Sequence, residues 1–405
     1  MKNPQITLLI TLFCFLTEGC YQSSFETEVS RFNCENPPPL VPAAAFTDWG
    51  IWTDGHAVVE HNLVTGMAGT CNNLLVGISE PTVPLGVFMD SPNETLTLSI
   101  HPGADTRSTS TVTQPFSVEV VNAPFGYVVQ SPDLDRGLQV IKLYDHNSDP
   151  ITSLDVPDSH FGNSSVDYDH FVIETTDLPL LVEVQREPRT TSRFATKTIL
   201  PSGELGESGA VTIETTTWWW LGAVVANDEW MIFAENSRDY TQNSFQLSIT
   251  FAKRDGSEDL RAWSFETVPF FGDSVLMDTS PHDEGVLLVM NDSGGGLAFL
   301  LHPDGTRAFI TRLPGAGSTI ARTPYGFVAS SYDETNVYVT IVDTVTTNAT
   351  PQTVTIDAFP ENSMAHHPQL GIGYYGYRIG VSATWFDLES ETVKMQYHIV
   401  GAQTP

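Results

Sequence analysis

Chemistry in this chain of 405 residues has to come from its four cysteines, eleven histidines, 49 carboxylates or an aromatic platform. No CxxC, no Cys/His cluster and no HExxH occurs, so no zinc site is expected. His366-His367 is the one histidine doublet. Neighbours on a strand point to opposite faces, so both rings cannot hold one ion without a bend. One ring turned to a central channel is the most the doublet offers. Asp133-Leu134-Asp135 and Asp145-His146-Asn147-Ser148-Asp149 are rich in oxygen donors but lack the spacing of a calcium loop. Their short side chains fit turns that bond their own backbone. Gly315-Ala316-Gly317-Ser318 misses the Gly-x-Ser-x-Gly pattern of a serine nucleophile. Paired carboxylates for glycoside cleavage stand about 5–10 Å apart, and among 49 acids no pair singles itself out. Trp218-Trp219-Trp220 is the most unusual string. Alternation puts Trp218 and Trp220 on one face of a strand. There they either stack on a sugar ring or a partner's side chain, or wedge between neighbouring sheets. No catalytic residue, metal or cofactor is assigned from these patterns.

Whatever these residues do, β-strands must position them. From about Asp48 onward helical periodicity is nearly absent, and short β-rich runs alternate with Gly, Pro, Asn and Asp turns. A phrase recurs: a short apolar strand, a tight turn often bearing Pro and Gly, then a stronger apolar strand. Ala123-Pro124-Phe125-Gly126 leads into Tyr127-Val128-Val129, and Thr323-Pro324-Tyr325-Gly326 into Phe327-Val328-Ala329. Taken at positions 86, 126, 180, 230, 285, 326 and 371, the phrase repeats every 40–55 residues, the range of four-stranded propeller blades. The second unit fills with strands at Phe116–Val121, Gly126–Gln130, Leu138–Leu143 and Ile151–Val156. The fifth fills with Ser274–Met277, Val286–Met290, Leu297–Leu301 and Arg307–Arg312, the last two joined by His302-Pro303-Asp304-Gly305 as a hairpin turn. Gly126, Gly285 and Gly326 are expected in equivalent turns, with φ > 0 or a close backbone approach.

The phrase resembles the β-propeller superfold over roughly residues 48–405. The resemblance implies an all-β domain of seven four-stranded antiparallel blades, six or eight being the alternatives, each sheet burying its faces against its neighbours. No WD40, kelch or YWTD signature recurs, so no subfamily is indicated. Pro303-Asp304-Gly305-Thr306 and Lys253-Arg254-Asp255-Gly256 lack the serine and tryptophan of sialidase-type boxes and read as hairpin turns. Trp49–Trp52 and His56–His61 read as two further strands, which either close the ring against the last blade or form an eighth.

The N-terminus reads as an address. Lys2 precedes an apolar run, Ile6 to Leu16, too short to span a bilayer. Its end, Leu16-Thr17-Glu18-Gly19-Cys20, resembles a bacterial lipobox in Gly19 and Cys20 and departs from it at Thr17 and Glu18. The resemblance implies that Cys20 carries a lipid; an ordinary signal cut near Gly19 is the alternative. Residues 1–19 are then the signal peptide, 20–47 a polar tether rich in proline, and 48–405 the propeller. With Cys14 lost and Cys20 lipidated, Cys34 and Cys71 remain, either a disulfide formed in an oxidising compartment or two buried thiols.

Composition sets the outer bounds. A formal net charge of −31 repels a phosphate backbone and an anionic membrane, so neither nucleic acid nor a polybasic membrane patch is expected. With 41% hydrophobic and 10% aromatic residues a packed core is assured. The reading is a monomeric, lipid-anchored propeller of a bacterial envelope, on its periplasmic or outer face, acting as a scaffold for a protein or polysaccharide. The alternative is a secreted polysaccharide-active hydrolase or lyase. Inward-facing acids beside an arginine and an aromatic residue would mark the enzyme; a narrow channel walled by Val, Thr and Gly would mark the scaffold.

Overall fold

Alternation along the strands generates the sheets. In the computed structural model the segment Gln352–Asp357 exposes Thr353, Thr355 and Asp357 and buries Val354 and Ile356, the period of two that a half-buried strand requires. The structure describes residues 47–53, 59–60, 63–69, 74–79, 94–100, 107–113, 119–133, 136, 138–146, 149–157, 167–175, 178–187, 191–214, 220–239, 244–255, 257, 260–267, 275–279, 285–292, 294–345, 350–373 and 378–403. All fall in one compact unit, Leu40–Pro405, and every regular element among them is a β-strand.

The first two strands, β1 (Thr47–Thr53) and β2 (Val59–Glu60), belong to the last sheet. Sheet one holds β3 (Leu63–Gly69), β4 (Leu74–Ser79), β5 (Glu94–Ile100) and β6 (Arg107–Thr113). Sheet two holds β7 (Glu119–Ala123), β8 (Gly126–Asp133), β9 (Leu138–Asp145) and β10 (Pro150–Pro157). Sheet three holds β11 (Asp167–Ile173), β12 (Leu180–Glu187), β13 (Thr191–Ile199) and β14 (Leu205–Glu214). Sheet four holds β15 (Trp220–Ala226), β16 (Trp230–Asp239), β17 (Ser244–Lys253) and β18 (Leu260–Thr267). Sheet five holds β19 (Val275–Thr279), β20 (Val286–Asp292), β21 (Gly295–Leu301) and β22 (Arg307–Arg312). Sheet six holds β23 (Ala316–Thr323), β24 (Gly326–Tyr332), β25 (Asn336–Asp343) and β26 (Gln352–Asp357). The closing sheet holds β27 (Ser363–Gly373), β28 (Arg378–Asp387) and β29 (Thr392–Gln403) together with β1 and β2.

Each of the six four-stranded sheets is an antiparallel meander in chain order. The first strands touch in succession, β3 to β7, β11, β15, β19, β23 and β27, and β27 returns to β3. This closed circuit of first strands is the arrangement of a β-propeller. Six blades have four strands, where the sequence predicts seven such blades. The closing sheet differs because the first and last of the described strands meet in it. There β29 pairs with β28 on one side and with β1 and β2 on the other, through Gly50↔Gly401 and Val59↔Met395. The two extra strands of the sequence reading therefore close the ring. Trp49 of β1 also stacks edge-on against Tyr325 of sheet six at 6.0 Å.

Cores lie between sheets. Trp230, Ile232 and Phe251 of sheet four pack with Met277, Val286 and Leu288 of sheet five. Leu287 and Val289 on the opposite face of β20 pack with Phe327 and Ala329 of sheet six. Full burial of each such side chain contributes about 1.5–3 kcal/mol. A side-chain clamp reinforces the second seam: Asn291 Nδ2 donates to the Gly317 carbonyl at 3.0 Å, and the Gly317 N–H donates to Asn291 Oδ1 at 2.7 Å.

The repeat phrase marks second strands at Gly126, Leu180, Trp230, Val286 and Gly326. It misplaces two. Gly371 lies in β27, a first strand, and the second strand there begins at Arg378. In sheet one the second strand begins at Leu74, while position 86 lies outside the described residues.

Candidate functional site

Three polar residues occupy the same place in different sheets. Asn122 is the last but one residue of β7, opposite Tyr127, and Arg322 is the last but one of β23, opposite Phe327. Asp278 is the last but one of β19, and Glu174 follows β11 directly. Four sheets thus bring amide, carboxylate and guanidinium to the ends of their first strands, the strands that ring the axis.

A continuous hydrogen-bonded belt joins them. The Gly69 N–H donates to Asn122 Oδ1 at 2.8 Å, and Asn122 Nδ2 donates to Glu174 Oε2 at 2.9 Å. Arg322 Nη2 reaches Glu174 Oε1 at 3.3 Å, while its Nη1 donates to Thr279 Oγ1 at 3.0 Å. The Thr279 N–H closes on Asp278 Oδ1 at 2.7 Å. Sheets one, two, three, five and six all contribute. The pair Arg322–Glu174 joins sheet six to sheet three, which are not neighbours in the circuit of first strands, so this ion pair spans the ring.

Burial is uneven across the belt. The Arg322 side chain is 9% exposed and that of Glu174 34% exposed. A guanidinium so enclosed must be paired, since an unpaired buried charge costs several kcal/mol. Glu174 and Thr279 supply the partners. Asp278 is half-buried. Burial accordingly pushes its carboxyl up to about 7; Arg322 pulls it down, Glu174 pushes it up, and the backbone N–H groups of Thr279 and Arg322 pull it down. A carboxyl titrating there can give or take a proton near neutrality.

Of the residues singled out by sequence, Cys20, Cys34, Cys71 and Trp218 lie outside the described residues. Trp220 opens β15, opposite Asn236. His366 and His367 lie in β27, where the register with β28 is irregular between His366 and Gln369. Asp145 and Asp149 bond each other, while residues 147–148 lie outside those described: the Asp149 N–H donates to Asp145 Oδ1 at 2.9 Å, and the Asp145 N–H to the Asp149 carbonyl at 3.0 Å. Ser318 and Thr319 both donate their hydroxyls to the Pro368 carbonyl, at 2.8 and 2.6 Å, and so serve the seam with the closing sheet. Among the described residues no group of three or more His, Cys, Asp or Glu is placed to hold a metal ion.

Sequence reasoning missed the belt. Its trace was present: Asn122 and Arg322 each stand four residues before the glycine of the repeat phrase. Comparing that column between units, rather than scanning for acids, would have found them.

No family model matches the chain, and no curated protein does. Among solved structures it is similar to a variant of the Synechocystis apocarotenoid oxygenase, with 8% identity, a TM-score of 0.48 and coverage of 86% of this chain and 94% of that one. A protein from Lactobacillus plantarum shares 14% identity at a TM-score of 0.43, covering 72% and 85%. One of two prolyl endopeptidases shares 10% at 0.42, covering 86% of this chain and 48% of the other. Likeness at this level carries no statement about activity.

Proposed function

We propose that this chain is an exported, lipid-anchored β-propeller that binds a ligand at the central belt. It keeps the binding role read from the sequence, with the contact at the axis. The observation that carries the reading is Arg322, a nearly enclosed cation that reaches from sheet six to Glu174 of sheet three, whose carboxylate is the more exposed of the two. Propeller packing alone needs no charge there, and an apolar substitute is commonly as stable as a buried ion pair. The five-stranded sheet closes the ring within one chain, by pairing β1 and β2 with β29, which fits a monomer. A polysaccharide end or a small polar molecule suits the belt better than a protein surface.

A second reading, the polysaccharide-active hydrolase or lyase, is favoured by one observation: Asp278 titrates near neutrality beside Glu174 and Arg322, as a general acid or base requires.

Thermal shifts of wild type and Glu174→Gln against a panel of mono- and oligosaccharides test the binding role. At least one ligand is expected to raise the wild-type melting temperature by several degrees and the variant's far less. Identical responses of both proteins to every ligand would overturn it. New reducing ends or unsaturated products in the same mixtures, absent with Asp278→Asn, would put the enzyme reading first.

A further inference from the structure

We propose that the belt is a hoop that couples the inner ends of five sheets, so that their first strands loosen together, as one cooperative unit, once any of its ties is cut. The coupling belongs to the protein by itself and holds whether or not the belt takes a ligand.

A first strand is the part of its sheet that opens most easily. Each is paired on one side only, and no backbone ladder joins one sheet to the next. An edge held by a single ladder can fray without disturbing the strands beyond it. The other polar ties between sheets act seam by seam. The Asn291 clamp joins sheets five and six, and the Ser318 and Thr319 hydroxyls join sheet six to the closing sheet. Each of these holds two neighbours and nothing further.

The belt is built differently, because three of its side chains each hold two other sheets. Asn122 of sheet two takes the Gly69 N–H of sheet one on Oδ1 and gives Nδ2 to Glu174 of sheet three. Glu174 takes sheet two on Oε2 and sheet six on Oε1. Arg322 of sheet six reaches sheet three with Nη2 and sheet five with Nη1. Removing any one of the three leaves groups in two further sheets without that partner. A half-satisfied polar network stabilises far less than a complete one. Gly69 carries the line on to the seam where the ring closes. An added Cβ there would overlap the Ile372 carbonyl of β27, so β3 and β27 meet backbone to backbone where the hoop begins.

Sheet four is bypassed. Its first strand ends at Ala226, which is fully buried and has no polar side-chain atom. The next residue, Asn227, turns its Oδ1 back on the N–H groups of Glu229 and Trp230, at 3.0 and 2.7 Å. The fork of Arg322 spans the gap. A lysine ammonium, a point charge without that fork, could not hold sheets three and five at once.

Hydrogen–deuterium exchange of the full chain, read by mass spectrometry, tests the coupling in wild type, Asn122→Ala, Glu174→Gln, Arg322→Lys and Asn291→Ala. Each of the first three variants is expected to speed exchange in β3, β7, β11, β19 and β23 alike, by about tenfold, the scale of coupling between interacting side chains. The exchange of β15 should stay at the wild-type rate. Combining Glu174→Gln with Arg322→Lys should add little to the faster single variant, because one cut already frees the unit. Asn291→Ala should act on sheets five and six alone. Arg322→Lys keeps the charge and the alkyl stem, so it is the variant least apt to unfold the chain. Acceleration confined to the strand that carries the substitution would overturn the hoop and leave a set of local bonds, as would exchange unchanged in all variants. Acceleration of β15 to the same extent would overturn it as well, in favour of a general loss of stability.

Discussion

Asp278 ties a single side chain to the pH response of the fold. Its carboxyl stands near 7 in the folded chain against an ordinary value of 3.8. Below about pH 4 both states are protonated and the group is neutral toward stability. As pH rises from there toward 7 the unfolded chain ionises while the folded one keeps its proton, so stability falls, and above 7 the full cost remains. Allowing for partial solvent access, that cost is on the order of 2–4 kcal/mol. Asp278→Asn keeps an oxygen for the Thr279 N–H and removes the charge. Urea unfolding at a series of pH values should show the variant gaining stability over wild type above pH 7 and lacking the decline across that window; a variant that loses stability there would contradict the electrostatics. None of this was legible in the sequence. Forty-nine acids carry no label for which will share an arginine, because that sharing depends on strand ends that are far apart in the chain and meet only around the axis.

Strands and turns were far more legible, since both are local. The strands expected in the second and fifth units lie within a few residues of β7 to β10 and β19 to β22. Asp304 makes the hairpin before β22 as its type suggests: the Thr306 N–H donates to Asp304 Oδ1 at 2.8 Å, and Gly305 adopts φ 84°. Gly126 and Gly326 turn out to be equivalent in detail. Both open a second strand, with φ of 146° and 151°, and at each an added Cβ would lie 2.2 Å from a third-strand carbonyl oxygen, that of Tyr144 or of Val342. Gly126→Val and Gly326→Val should each destabilise by roughly 2–4 kcal/mol, alike within about 1 kcal/mol. Denaturant midpoints would decide it, and a large loss at one with none at the other would break the equivalence. Gly285 directly precedes β20, with residues 280–284 outside those described. Gly371 deceived the pattern because β27 runs for 11 residues, with its register irregular between His366 and Gln369. The extra length carries a turn-like phrase into the middle of a strand.

For the whole molecule, charge and address pull apart. A chain with a net charge of −31 is repelled by anionic lipid, so residence on a membrane would depend wholly on a covalent anchor. Cys20→Ser should therefore move the protein from the detergent-extracted to the soluble fraction of its native host. Wild type found soluble, or the variant retained with membranes, would remove the anchor from the account. The repeat and the ring were visible in outline, whereas the count of four-stranded blades was not, because the chain's first and last strands share a sheet that neither end reveals alone. That sharing also sets an order in time. A nascent chain that has delivered six sheets still holds β1 and β2 with nothing to pair against, since their partner is β29, Thr392–Gln403. The ring cannot close until β29 has emerged, so a chain cut one strand early is left as an open fan with bare edges on β1 and β28. Closure of the ring thus waits on β29, the strand that joins the two ends of the circuit.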